Sequence, residues 1–208
     1  MPSLTDVERR ADYVATMGPE LGHLYHELEE EVDWLQQKWN EFRELFGKGQ
    51  ERIDMLATVA SNFFFMLHKL MFEDAMLHLC RLTDPPATKG RRNLTFMALT
   101  DAVTDPALKI QVAAQLSKIE DDCEFAREPR NRRLAHADLE LFRNETVGPK
   151  ILSEHVEDAL KSMRGLLGLI SQRYGYPPSV LLKDPFGAQS LIYYLESGAR
   201  AEKLRRHF

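Results

Sequence analysis

The chain is predicted to be all-α, an up-down helical bundle with an extra helix at its C-terminal end. Two observations carry this: apolar residues recur at steps of three and four over most of the length, and no Val-, Ile- or Thr-rich alternating run of strand length occurs. A third is punctuation, since the periodic stretches stop at Gly47 and Gly49, at Pro85-Pro86 and at Pro177-Pro178. With 208 residues, 44% of them hydrophobic and 28% charged, one packed core plus a tail is expected. The expected boundaries are an N-terminal segment over 1–18, a helical bundle over 19–176 and a C-terminal helical tail over 177–208.

Leu21, Leu24, Leu28, Val32, Leu35, Trp39, Phe42 and Phe46 form one apolar stripe and predict a helix over 19–46. A second stripe runs from about Ile53 through Leu56, Ala60, Phe64, Leu67, Met71 and Leu77 to Leu82, where Thr83-Asp84-Pro85-Pro86 ends it. Two such helices of roughly 30 residues would each reach about 45 Å and form the spine of a bundle. Residues 87–92 read as a basic loop, and Asn93 or Thr95 is placed to cap a short helix through about Val103. Asp105-Pro106 is an N-cap followed by proline at the first helical position, and a helical face then runs to Pro129. Asn144–Pro149 reads as a loop, Val156 to Tyr174 as the next helix, and Asp184-Pro185 as the start of the last, which carries Leu191, Ile192, Leu195 and Leu204.

Composition narrows the function classes. Cys80 and Cys123 lie far apart and outside any CxxC pattern, which fits free buried thiols and a cytosolic address. Residues 1–16 are charged and lack the apolar core of a secretory signal. The most apolar stretch, Met55–Leu67, stops at His68 and Lys69, short of the roughly 20 residues a membrane span needs, so no insertion is expected. A net charge of −5 argues against a general nucleic-acid coat, yet Lys89, Arg91 and Arg92, then Arg127, Arg130, Arg132 and Arg133, form local basic clusters open to RNA.

The segment Arg130-Asn131-Arg132-Arg133-Leu134-Ala135-His136 is the candidate functional site. On a helix, Arg132 and Arg133 share the face of His136, whereas Arg130 sits about 120° away, so the constellation is incomplete within one chain. Imidazole moves protons near neutral pH, and guanidinium groups hold a phosphate and the charge that builds on it, which points to phosphodiester cleavage. The plainer alternative is a solvated arginine-rich helix start beside an ordinary histidine.

The stretch from Glu128 to Leu139, EPRNRRLAHADL, resembles the signature of the HEPN superfamily, with Arg130, Asn131 and His136 in the matching positions. The context resembles its abortive-infection AbiU-like branch, through LCRLTDPP (79–86), NLTFMAL (93–99), Ala135-His136-Ala137-Asp138 and SLIYYLESG (190–198). The resemblance implies a HEPN-type bundle and a homodimer whose two motifs line one composite cleft. It further implies a metal-independent, cofactor-free endoribonuclease of a defence or toxin system, with an antitoxin protein as a candidate partner. His136 would then activate the ribose 2′-hydroxyl or protonate the leaving oxygen, Arg130 would bind the scissile phosphate and Asn131 would orient either group. The product would be a 2′,3′-cyclic phosphate. Arg127, Arg132 and Arg133 are expected as flanking RNA or phosphate contacts. Members of the superfamily also act as non-catalytic modules that bind a nucleotide, RNA or protein, and that is the alternative reading.

Other clusters carry less. Glu73, Asp74 and His78 share helical spacing and could support the motif across the bundle, with a buried structural network as the competing expectation. His23 and His26 with Glu20 and Glu27 suggest metal ligands, but a di-iron bundle needs a second Glu-x-x-His and none of the other six histidines has Glu three positions before it, so no metal is expected. Cys80 falls in a Leu-rich stretch and reads as core rather than nucleophile. Phe63-Phe64-Phe65 covers three faces of its helix, so at least one ring must lie outside the core and is a candidate for the dimer interface.

Overall fold

The computed structural model describes residues 5–127, 153–177 and 187–205. The architecture is all-α: α1 (Asp6–Met17), α2 (Pro19–Phe46), α3 (Gln50–Leu82), α4 (Leu99–Ala102), α5 (Pro106–Cys123), α6 (Ser153–Arg173) and α7 (Ala188–Arg205). Pro129, the loop at 144–149 and Asp184-Pro185 lie outside the described residues.

Helix α1 occupies part of the segment to which the sequence reading assigns no element. Its cap is a reciprocal box: the Glu8 amide donates to Thr5 Oγ1 at 3.3 Å and the Thr5 amide to Glu8 Oε2 at 2.8 Å. Gly18, at φ 85°, turns the chain into α2. Gly22 then lets the two helices meet, because a Cβ there would lie 2.6 Å from the Tyr13 carbonyl oxygen and from Val14 Cα. The clasp is polar as well. Arg9 bonds Glu30, Arg10 pairs with Glu27 at 3.3 Å, and the Tyr13 hydroxyl donates to buried Glu29 at 3.0 Å.

The chain divides into two compact units, Met1–Trp34 with Met76–Val180, and Leu35–Ala75 with Leu181–Phe208. In the first, Leu21, Tyr25, Leu28 and Val32 of α2 and Met76, Leu79, Cys80 and Leu82 of α3 are buried. Helices α5 and α6 pack along each other through the stripes that periodicity anticipates: Leu108, Val112, Leu116 and Ile119 on one, Val156, Leu160, Met163 and Ile170 on the other. Asp105 caps α5 by accepting from the Leu108 amide at 3.0 Å, and Arg173 of α6 donates to the same carboxylate. Those two interactions, the amide bond first, hold its pKa below the usual value.

The second unit has a smaller core of Leu45, Leu56, Phe64, Ala188 and Ile192. Trp39 stacks on Phe42 at 4.8 Å, and His68 sits against the rings of Phe42 and Phe46, where burial lowers its pKa. Helix α3 is not continuous here, since Ala60 leaves helical geometry at φ −159°, ψ 71° with no proline or glycine to mark the break. Among the described residues α3 is the one helix long and apolar enough to meet the dimensions of a membrane span, and 11% of that window is buried. The aromatic run divides as its spacing requires: Phe64 is 6% exposed, Phe63 52% and Phe65 73%.

Residues 87–92 correct the expectation of an irregular loop and of no sheet. Ala87–Thr88 and Arg91–Arg92 pair antiparallel in a minimal hairpin, too short for alternation to register in the sequence.

Candidate functional site

Arg130, Asn131, Arg132, Arg133 and His136 lie outside the described residues, and what is described is the frame that delivers them. The anchor is Arg127, at the end of the 3-10 turn Glu124–Ala126 that extends α5. Its Nη1 donates to Asp84 Oδ1 at 2.8 Å, and its Nη2 donates to the Thr83 carbonyl at 2.8 Å and to Thr83 Oγ1 at 2.9 Å. These bonds engage both terminal amino groups of a guanidinium expected from the sequence to meet phosphate.

The turn that Arg127 grips is itself fixed. Thr83, 2% exposed, donates back to the Leu79 carbonyl at 2.9 Å. Fully buried Thr95 shares its hydroxyl proton between the carbonyls of Leu82 and Asp84, at 2.9 and 2.8 Å, and caps the next turn by accepting from the Met97 amide. Cys80 Sγ donates to the Ala126 carbonyl at 3.4 Å, a second tie between the end of α3 and the 3-10 turn. The chain thus enters the arginine-rich segment from a point held at several atoms. Pro85, Pro86, Met97, Thr100 and Asp101 line an open depression with Arg127.

Sequence reasoning did not assign Thr83, Asp84 or Thr95 a part in the site. Their signal was present, because LCRLTDPP and NLTFMAL contain all three. What those phrases encode is the socket for Arg127, 43 and 44 residues away along the chain.

Glu73, Asp74 and His78 do not act as one cluster among the described residues. His78, 3% exposed, faces Glu31 at 2.7 Å; Asp74 pairs with Lys38, and Glu73 with Lys69 at 3.8 Å. The histidines of α2 are likewise engaged. His23 Nδ1 accepts from Arg10 Nε at 3.2 Å, and His26 lies 3.0 Å from Asp6, whose pKa is lowered first by that bond and then by Arg9. Asp6, His26 and Glu30 each bring a ligand atom within 4.8 Å of the others, a spacing that could hold an ion. The Arg9 guanidinium already bridges the two carboxylates, however, so this cluster closes the α1–α2 clasp. Glu20, the fourth residue considered there, is taken by Arg92.

Both cysteines are buried thiols outside any disulfide, and burial, with Asp122 adding to it, pushes the Cys123 thiol up to about 12. The Cys123 thiol is therefore no nucleophile at neutral pH. Glu29, between the hydroxyls of Tyr13 and Tyr25, has its pKa raised by burial.

Among curated proteins and among solved structures, none matches the chain. A family model does: HEPN_AbiU2, described as AbiU2, matches residues 18–187, a span that contains α2 to α6, the Arg127 socket and the whole Arg130 to His136 segment. With most of its length inside that match, the chain belongs to the AbiU2 family of HEPN proteins.

Proposed function

We propose that the protein is a metal-independent endoribonuclease of the cytosol, acting as a homodimer whose two Arg130–His136 segments share one cleft. Membership of the AbiU2 family ties the chain to abortive-infection defence at the coarse level. The observation that carries the finer reading is that the family match contains Arg130, Asn131 and His136 together, shortly beyond an arginine socketed by the turn that follows α3. A segment that must place a guanidinium and an imidazole around one phosphate gains from a fixed point of departure.

In this reading Arg130 holds the scissile phosphate, and His136 takes the proton of the 2′-hydroxyl or returns one to the departing 5′-oxygen. Asn131 orients the group that His136 serves, and Arg132 and Arg133 meet flanking phosphates. Attack of the 2′-oxygen on phosphorus breaks the bond to the 5′-oxygen and leaves a 2′,3′-cyclic phosphate and a 5′-hydroxyl. The dimer is supported by the apolar face of the second unit, where Phe63, Phe65, Met66 and Leu70 are each more than half exposed. An antitoxin protein is a further candidate partner.

The test is cleavage of RNA by purified wild type and His136→Ala in the presence of EDTA, with product ends characterised. The reading expects cyclic-phosphate ends from wild type and a loss of about 10²–10⁴-fold in the variant. Equal rates, or abolition by EDTA, would refute the mechanism. RNA binding without turnover would assign the same basic segment to a non-catalytic module.

A further inference from the structure

The hairpin at Ala87–Arg92 joins α3 to the turn at Phe96 in an unusual way. Its strands pair Ala87 with Arg92 and Thr88 with Arg91, and the two residues between, Lys89 and Gly90, both take positive φ, 49° and 77°. A two-residue turn of that kind is ordinarily filled by Asn-Gly or Gly-Gly, because other side chains bring a Cβ into the left-handed region. Here a lysine stands at the first position, and a residue held in a sparsely populated conformation asks for a reason.

The base of the hairpin is pinned. The Asn93 amide donates to the Pro86 carbonyl at 2.8 Å, its side chain donates to the Pro85 carbonyl at 2.7 Å and to Thr88 Oγ1 at 2.8 Å, and Arg92 is held by Glu20. Lys89 and Arg91 are left exposed, with no hydrogen-bond or ion-pair partner among the described residues. Several basic side chains of the helices do have a carboxylate, among them Arg9, Arg52, Lys118, Arg164 and Arg173. A rigid turn thus holds two uncompensated cations out from a chain whose net charge is −5.

We propose that this hairpin is a contact for the sugar-phosphate backbone of RNA, with Lys89 and Arg91 as the neutralising pair. The inference rests on the ribonuclease reading, because it adds a part to the same substrate path. Pro85 and Pro86 link the hairpin directly to the Thr83–Asp84 turn that holds Arg127, so phosphate contact and the entry to the Arg130 segment are braced on one turn. Cations presented singly on a stiff turn bind phosphates as point charges and carry no base preference.

The experiment compares full-length His136→Ala with the same protein carrying Lys89→Glu and Arg91→Glu, using a fluorescein-labelled single-stranded RNA of 20 nucleotides. Anisotropy is read from 50 to 300 mM KCl. The expected result is about tenfold or more loss of affinity at 100 mM and a salt slope shallower by about 1.4, for two lost contacts on a single strand. Lys89→Asn separates charge from folding, since asparagine suits the turn: it keeps the thermal midpoint and loses part of the affinity. Equal affinity and equal slope in the double variant overturn the inference and leave the ribonuclease reading intact. Failure of the parent to bind RNA overturns both. Weakened binding in a protein whose wild type never cleaves sustains the hairpin contact and removes the ribonuclease reading alone. Competition by polyglutamate as strong as that by unlabelled RNA overturns the RNA assignment in favour of an acidic peptide.

Discussion

The two ends of α3 have opposite surroundings. In the first unit Met76, Leu79, Cys80 and Leu82 are at most 1% exposed. In the second unit the same helix leaves Val59, Phe63, Phe65, Met66 and Leu70 open, and α7 adds Leu191, Tyr193 and Tyr194. Exposed apolar residues in the first unit, such as Val7 and Ile110, come singly along their helices. Scattered residues of that kind are normal, whereas a concentration on one stretch of helix signals a surface kept for a partner. The first unit therefore buries its end of α3 completely, and the surface proposed for self-association belongs to the second.

The largest effect that separates these roles is expected from Phe65→Asp combined with Met66→Asp. Self-association should weaken at least about 100-fold, on anchors worth roughly 1–3 kcal/mol each, while helicity stays unchanged. Sedimentation velocity over a concentration series checks this, and Ile110→Asp in the first unit should do nothing. A wild type that stays monomeric but floats with liposomes would give the face to lipid, a role that the length and apolarity of α3 permit.

Next in size is Gly22→Ala. The added methyl meets backbone of α1 and should cost about 1–3 kcal/mol in urea unfolding. Gly165→Ala and Gly198→Ala, at helical positions with open space, should gain about 0.5–1 kcal/mol instead. Loss in all three would mean that the α1–α2 contact has no special weight.

Arg127→Gln follows, at about 1–2 kcal/mol, because it strips partners from Thr83 and Asp84. RNA cleavage should drop with it, and Arg127→Lys should fall between. Unchanged cleavage at reduced stability would make the socket structural only.

The smallest effect is tied to pH. Glu29 has a folded-state pKa raised above its ordinary 4.5, so its carboxyl stabilises the fold fully below that value and ever less as pH rises through the folded pKa. Glu29→Gln should then lift the thermal midpoint at pH 7–8 by no more than about 2–4 °C and leave it unmoved near pH 4. A gain of equal size at both would remove the titration from the account.

Much of the scaffold was legible because its determinants are local. The stripe from Leu21 to Phe46, bounded by Pro19 and Gly47, predicts α2 as it stands, and Asp105-Pro106 predicts the start of α5 to the residue. Thr5-x-x-Glu8 is an equally local capping signal for α1, and it is easily passed over in a segment with few apolar residues. Two features have no such signal. The break at Ala60 lies in an unremarkable run, and the hairpin at 87–92 is shorter than any pattern can register. The candidate segment is legible as a motif, yet the socket of Arg127 is not, since the partners of Arg127 sit more than 40 positions earlier and only folding brings them together.

The burial of the two thiols turns them into a clock. Cys80 and Cys123 both belong to the first unit, and the second contains no cysteine at all. With Cys80 donating to a backbone carbonyl and the Cys123 proton held far above neutral pH, a thiol reagent at pH 7 must wait for the first unit to open. The labelling rate of the unaltered protein therefore reports the opening of the first unit alone, read without interference from the second.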